Sequence, residues 1–135
     1  MQKNNTSSNH IKAGQVFALL TIAVLVISVA QYADAKRPTY IAFLSGSGDD
    51  KGKVVWKTED GGLKRIDVEL ENLRANTTYT VVVNGQTVGT VTTDGFGDAD
   101  KQFLGSNLPT VTAGNTATIK NGSTTVLSGT FVLKS

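Results

Sequence analysis

The sequence predicts an all-β domain of about eight short strands, arranged as a sandwich or a barrel, after an N-terminal signal peptide. Three observations predict it. From residue 39 onward, short runs rich in Thr and Val alternate with Gly, Asn and Asp. No run of useful length has the periodicity of an amphipathic helix. The dipeptide Asn84-Gly85 separates two alternating runs, which is the pattern of a tight hairpin.

The first 35 residues are expected to be a signal peptide. A polar, weakly basic opening precedes the apolar run 16–30, and Ala33-Asp34-Ala35 fits a cleavage site after Ala35. The apolar run falls short of the ~20 residues that cross a membrane as a helix. We therefore predict a signal peptide at 1–35 and one domain at 36–135. That domain would be secreted, or held at the cell surface or in the periplasm, and would touch the membrane only through the signal segment.

A second interpretation of this end of the chain remains open. The segment Lys12–Leu20 resembles the processing site of type IV pilin-like precursors. In such precursors, cleavage after Gly14 would leave the apolar segment on the mature protein as an assembly stem. Leu19 stands where those proteins usually carry Glu, so we prefer cleavage after Ala35.

Two missing residue types exclude several classes of enzyme. The chain contains no Cys, and its single His, His10, lies in the predicted signal peptide. Residues 36–135 therefore offer no Ser-His-Asp or Cys-His nucleophile, no histidine general base and no zinc site built from His or Cys. We expect a protein that is not an enzyme.

The charge of the predicted domain is nearly balanced. Residues 1–35 hold two of the 13 Lys and Arg and one of the 11 Asp and Glu. Eleven basic and ten acidic residues remain at 36–135. Because no basic cluster interleaves with aromatic residues, we do not expect nucleic-acid binding.

Each predicted strand is a short run bounded by Gly, Asn or Asp. The eight are Thr39–Ser45, Lys53–Thr58, Leu63–Glu71, Thr78–Val83, Gln86–Thr93, Ala99–Leu104, Thr116–Lys120 and Thr125–Leu133.

The second predicted strand carries the only tryptophan of the chain, Trp56. Alternation places Val54 and Trp56 on one face and Val55 on the other. An exposed Trp would be a stacking platform for a sugar, whereas a core Trp fills the gap between two sheets. The core position is commoner in a sandwich, so we predict that Trp56 is buried.

The third predicted strand alternates cleanly. Ile66, Val68 and Leu70 point to one face, and the charged residues between them point to the other. Glu69 and Glu71 share that wet face, about 7 Å apart. Two carboxylates are enough for a glycosidase, but nothing indicates that either is desolvated enough to hold a proton. The prediction is therefore a solvated face.

The fourth and fifth predicted strands form a hairpin around Asn84-Gly85, because both central residues of such a turn need positive φ. A two-residue loop fixes three facing pairs: Val83 with Gln86, Val81 with Val88, and Tyr79 with Thr90.

The last two predicted strands repeat the chemistry of that hairpin. Residues 80–91 and 118–131 both read Thr-apolar, Asn-Gly, Thr, then Gly-Thr-apolar. Shared turn chemistry explains this repeat better than a duplication. Gly89 and Gly129 are expected to mark bulges or bends in the two return strands.

A short segment before and within the fourth strand has a specific pattern: a Leu, a Thr four residues on, a Tyr two further, then alternating Val. It is carried by Leu73, Thr77, Tyr79, Val81 and Val83. The pattern resembles the tyrosine corner of fibronectin type III and immunoglobulin-like domains. This resemblance implies an immunoglobulin- or fibronectin-like β-sandwich, a buried Tyr ring whose hydroxyl bonds to nearby backbone, and a scaffold for adhesion, spacing or assembly.

The connection before the sixth strand is acidic. Asp94, Asp98 and Asp100 lie within seven residues, with glycines between them. Clustered carboxylates on a flexible loop suit calcium, so these three are a weak calcium candidate. The commoner interpretation is an acidic turn between strands, with no cofactor or metal.

We expect an exported, non-catalytic module with a binding or structural role, whose partner is a protein, a glycan or copies of itself. The alternative is a subunit of an extracellular filament assembled by strand-edge pairing or strand donation. Weakly charged Thr/Val strands favour such pairing. The candidate donated segments are Thr125–Ser135 and Arg37–Ser45.

Overall fold

All eight predicted strands are present in a computed structural model that describes residues 36–135. The predicted signal peptide, its cleavage site and the pilin-like alternative lie outside the described residues. The strands are β1 (Thr39–Ser45), β2 (Lys51–Thr58), β3 (Lys64–Glu71), β4 (Thr78–Val83), β5 (Gln86–Thr92), β6 (Ala99–Gly105), β7 (Thr116–Asn121) and β8 (Thr124–Leu133). Each boundary lies within two residues of its predicted position, so the predicted all-β class is confirmed. In this part of the chain no helix has the length and apolar character needed to span a membrane.

The eight strands form one antiparallel sheet in the order β5-β4-β7-β8-β1-β2-β3-β6. Among residues 36–135, β5 and β6 each have one paired neighbour and form the two free edges of the sheet, which curls until these edges face each other. The Phe103 ring on β6 packs against Gly89 on β5, and Lys101 Nζ donates to the Thr90 carbonyl at 2.7 Å. We call the gap between β5 and β6 the seam. A nearly closed sheet of this kind is compatible with a sandwich or a barrel.

One row of alternate residues on each strand faces the interior of the curled sheet. On β3 this row is Ile66, Val68 and Leu70, all buried, which confirms the predicted alternation. Phe131 on β8 and Ile119 on β7 are fully buried on the opposite part of the sheet. Burying a side chain of this size stabilises the folded state by ~1.5–3 kcal/mol. This core stabilises a domain that has no cysteine and hence no disulfide.

A one-residue bulge interrupts the β4–β5 hairpin. Asn84 and Gly85 form its turn with φ of 50° and 76°, and Val83 pairs with Gln86 as predicted. Beyond this first stretch the register shifts, because Val88 is an extra residue on β5. Such a bulge strengthens the local twist of the strand pair and so helps the sheet to curl.

The bulge corrects two predicted pairs of this hairpin. The observed pairs are Val81 with Gly89 and Tyr79 with Val91. The predicted partners, Val88 and Thr90, were each wrong by one residue, because strict alternation leaves no room for a bulge.

The β7–β8 hairpin has a bulge at the equivalent place. Val126 is the extra residue, since Lys120 pairs with Thr125 and Ile119 pairs with Leu127. The turn of this hairpin is Gly122-Ser123, so in both hairpins the bulge is the third residue after the turn. The two bulges therefore lie at Val88 and Val126, and not at Gly89 and Gly129, where bulges or bends were predicted.

Gly129 has a different role, which is close contact with a neighbouring strand. A Cβ atom there would lie 2.2 Å from the Phe43 carbonyl oxygen. The backbone of β8 thus approaches β1 more closely than any larger residue would allow.

Connecting loops cover both ends of the curled sheet. Residues 72–77 join β3 to β4, residues 93–98 join β5 to β6, and the two loops are hydrogen-bonded to each other. Leu73 N donates to the Gly97 carbonyl at 3.0 Å. At the other end, residues 106–115 join β6 to β7.

Replacing Gly97 with Ala should destabilise the fold strongly. Gly97 has a φ of 82°, and an added Cβ would lie 1.9 Å from the Leu73 carbonyl oxygen. We expect Gly97→Ala to lower the free energy of unfolding by about 2–4 kcal/mol in urea denaturation. Gly95→Ala, two residues away with open space around its Cβ, is the matched control and should change it by less than about 0.5 kcal/mol. Equal denaturation midpoints for the two variants would contradict this account of the loop contact.

Candidate functional site

The outer face of the sheet carries a continuous apolar patch where β8, β1 and β2 lie side by side. Ile41 on β1 pairs with Val132 on β8 and with Val55 on β2, and facing residues of antiparallel strands share a face. Phe43 lies two residues further along β1 on the same face. Phe43 is 68% exposed and Val132 is 52% exposed, while Ile41 and Val55 are half-buried. We call these four residues the outer patch.

A band of ion pairs on β2 and β3 borders the outer patch. The pairs are Lys51–Glu71, Lys53–Glu69, Lys57–Glu59, Arg65–Glu59 and Arg65–Asp67. The hydrogen bond with Glu69 raises the pKa of Lys53, and the hydrogen bond with Asp67 raises the pKa of Arg65. Because water screens exposed pairs, the band adds little stability. Its effect is to give the outer patch a charged border of both signs.

Glu69 and Glu71 lie on this exposed face, on the side of β3 opposite its buried row. Each carboxylate binds the lysine that faces it on β2. A shallow depression of about 270 Å³ lies between these two pairs and Phe43. The two carboxylates therefore serve as partners of cations on the border of the outer patch.

Trp56 lies inside the curled sheet and is 3% exposed. Its Nε1 donates to the Pro109 carbonyl at 2.9 Å, so the buried indole N–H has the partner that it needs. The Tyr40 ring packs against it, with ring centroids 5.9 Å apart and planes tilted by 51°. Trp56 therefore offers no exposed indole on which a sugar could stack.

Leu73 and Thr77 of the predicted tyrosine corner lie in loop 72–77, and Tyr79 lies near the start of β4, which follows this loop. Leu73 and Tyr79 are buried. Thr77 is half-buried, and its hydroxyl donates to the Ala75 carbonyl at 2.9 Å. The resemblance also predicts that the Tyr79 hydroxyl hydrogen-bonds to nearby backbone, and this stays a prediction.

In the described structure the Thr93 hydroxyl joins the two loops at this corner. Thr93 is buried; its Oγ1 donates to the Arg74 carbonyl at 2.6 Å and accepts from Thr77 N at 3.0 Å. These bonds join the loop before β4 to the end of β5.

Asp94 organises the turn between β5 and β6. Its Oδ1 accepts from Phe96 N at 2.8 Å and from Asp98 N at 3.0 Å. The bonds from Asp98 N and Phe96 N lower the pKa of Asp94, because they stabilise the ionised carboxylate. The carboxylate thus acts as a cap for the turn.

The other two aspartates of the calcium candidate line the same shallow depression as Asp94. Asp98 Oδ1 accepts from Asn72 N at 3.1 Å, and Asp100 pairs with Glu69 across the β3–β6 ladder. Across residues 36–135, no group of three or more His, Cys, Asp or Glu side chains is arranged to hold a metal ion. Backbone N–H groups thus bond to Oδ1 of Asp94 and of Asp98, as in an acidic turn, and the calcium candidate stays a prediction.

Sequence reasoning missed two residues that matter here, Phe43 and Thr93. Phe43 lies in the run "YIAFL", which is apolar at every position, so alternation could not separate its inner row from its outer row. Thr93 is one of several threonines near the hairpin. Thr93 differs from these other threonines only in the folded structure, where its hydroxyl joins loops 72–77 and 93–98.

No protein-family model matches the chain, and no curated protein matches it either. The resemblance to immunoglobulin-like domains therefore depends on residues 73–83 alone. The fold class depends on the observed sheet.

Acid should selectively weaken the Asp94 turn. A pKa that is lower in the folded state means that Asp94 stabilises the fold above the ordinary aspartate pKa of ~3.9. That contribution is lost as the pH falls through the lower folded value. We expect Asp94→Ala to lower the free energy of unfolding at pH 7. The gap in unfolding free energy between this variant and wild type should narrow below about pH 3. Asp94→Asn, which keeps a neutral oxygen acceptor, should lose less at pH 7. A gap that stays constant with pH would contradict this role.

Calcium should leave the thermal stability unchanged. A cation that binds only the folded form raises the melting temperature by mass action, whereas Oδ1 of Asp94 and of Asp98 already accepts backbone N–H groups. We expect equal melting temperatures in chelator and in millimolar calcium, with magnesium as the control for general ionic effects. A calcium-specific rise of more than about 2 °C would contradict this expectation.

Proposed function

We propose that this chain is an exported, non-catalytic module of the immunoglobulin- or fibronectin-like sandwich type, and that it binds a protein partner at the cell surface or in the periplasm. The observation that carries the proposal is the outer patch with its border of ion pairs. In a binding role, the partner would contact the outer patch directly.

The composition of this surface supports a protein interface. Interfaces typically combine an apolar centre with a polar, solvent-accessible rim. Phe43 and Val132 are exposed large apolar residues on one contiguous area, whereas exposed apolar residues on a monomer are usually scattered. The lysine–glutamate pairs beside Phe43 supply the rim.

A protein partner fits better than a glycan. A sugar site stacks the ring on exposed aromatic side chains, and the outer patch offers only one, Phe43, since the indole of Trp56 is buried. The aliphatic side chains of Ile41, Val55 and Val132 make up most of the outer patch, and they present no π-face. A partner with an apolar surface of its own would bury all four residues together.

The corner around Tyr79 supports the finer assignment of the fold. Tyr79 and Leu73 are buried, and Val81 and Val83 continue the buried row of β4. In immunoglobulin-like domains this pattern marks the place where the chain passes between two halves of a sandwich.

A filament subunit is the second candidate, and the two free edges favour it. β5 and β6 each have one hydrogen-bonded neighbour in the sheet, and unpaired edges can add a strand from another molecule. Donation of Arg37–Ser45 or Thr125–Ser135 is less favourable. These segments form β1 and β8, which each have a paired strand on both sides, so donation would break ladders of the donor itself.

Photo-crosslinking from position 43 tests the proposed binding role. A photoreactive phenylalanine analogue is placed at position 43, and as matched control at Phe96, which is 86% exposed on the turn between β5 and β6. In the cells that make the protein, we expect one discrete adduct with a different protein from position 43 and none from position 96.

Two other outcomes would count against the binding role. No adduct from position 43, or the same adducts from both positions, would contradict an interface at the outer patch. An adduct of twice the chain mass would mean that the outer patch contacts a second copy of this chain, and only regular filaments in electron microscopy would then favour the filament candidate.

A further inference from the structure

The two free edges of the sheet are unequal in chemistry. β5, Gln86–Thr92, carries no charged side chain. Beyond its bulge, the stretch from Gly89 to Thr92 is regular. An uncharged edge of Thr and Val is a ready template for another strand. β6 carries charge on both of its faces, with Asp100 outside and Lys101 on the core side.

Lys101 occupies a position that a buried residue would normally take. It pairs with Val68 across the β3–β6 ladder, and facing residues share a face. Val68 is fully buried, so the Lys101 side chain starts from the core-facing side of an edge strand. Within residues 36–135 no strand is hydrogen-bonded to the other side of β6, and Lys101 is exposed.

The ammonium of Lys101 also occupies the opposite edge. Nζ donates to the Thr90 carbonyl of β5 at 2.7 Å, and it lies 5.2 Å from the centroid of the Phe103 ring. The Phe103 ring in turn packs against Gly89. One side chain therefore bridges the seam and engages both edges.

We propose that Lys101 guards the seam against strand addition by a second copy of this chain. The strand that fits is β5 of the second copy, because it is uncharged and ends in a regular stretch. Its addition to β6 would cover the Lys101 ammonium, break its bond to Thr90 and bury the charge in an apolar setting, which is strongly unfavourable. An inward-pointing charge on an edge strand is a known protection of this kind.

Without the Lys101 ammonium, the contact between β5 of one copy and β6 of another would repeat from copy to copy. Addition of β5 of one copy to β6 of another joins two different surfaces, and each new copy presents a further free edge. The expected product is thus an open-ended series of oligomers. This inference does not depend on the proposed binding role of the outer patch.

The test compares charge removal at the seam with the same removal elsewhere. Lys101→Thr removes the ammonium and keeps a good strand residue, and sedimentation velocity of the purified domain follows association over a wide range of concentrations. We expect wild type to stay monomeric and Lys101→Thr to shift to a concentration-dependent series of larger species. Lys101→Gln, which keeps a long side chain without charge, should behave in the same way and replaces Lys101→Thr if that variant does not fold.

Two control variants make the result specific. Lys120→Thr makes the same charge change on β7, which has a paired neighbour on both sides, and it should remain monomeric. Lys101→Arg keeps a cation at the seam and should also remain monomeric. The proposal is overturned if folded Lys101→Thr or Lys101→Gln stays monomeric, if Lys120→Thr or Lys101→Arg associates equally, or if wild type itself associates.

Discussion

Burial of one row of apolar side chains inside a single curled sheet is the constraint on which the rest of this structure depends. About a hundred residues without a disulfide have only this interior to offset the loss of chain entropy. Residues such as Phe131 and Ile66 are fully buried in it. The curl that encloses them is helped by a bulge in each of two hairpins, where an extra residue increases the twist. Because the core lies inside the curled sheet, the side chains on the outer face do not have to pack into it and can serve other roles.

The same constraint explains which parts of the fold could be predicted from sequence. Strand positions followed from turn residues, because Asn84-Gly85 and the other Gly- and Asn-rich breaks report local backbone geometry. The buried row of β3 followed from strict alternation of Ile66, Val68 and Leu70. The register of β5 did not follow, because a bulge at Val88 changes the pairing without any change in composition.

The candidate site was harder to predict than the fold, for a physical reason. The outer patch consists of ordinary strand residues, and only the assembled order β8-β1-β2 brings Val132 beside Ile41. These two residues are some ninety positions apart in the chain, so no local pattern could join them. The buried position of Thr93 likewise arises from the contact between two loops. Trp56 was easier to predict, since a lone tryptophan in a small sheet most often fills the interior.

A sheet can bind a partner through its face or through its edge, and the two surfaces of this sheet differ in chemistry. The outer patch presents side chains, and the free edges present backbone groups. Phe43 and its neighbours suit a partner that contributes apolar area. The side chain of Lys101 leaves little room at the seam for a partner that contributes a strand. Under the proposed binding role, this arrangement would keep recognition at the outer patch apart from self-association at the seam.

The place of β8 beside β1 also has a consequence for the order of folding. β1 is the first strand and β8 the last, yet they are neighbours in the middle of the sheet. Contacts between residues so far apart in sequence form slowly, because a long loop must close first. Until the final strand has been synthesised, the partner of β1 and the large buried ring of Phe131 are both missing. The polypeptide therefore cannot enclose its apolar interior until the last strand is available to pair with β1.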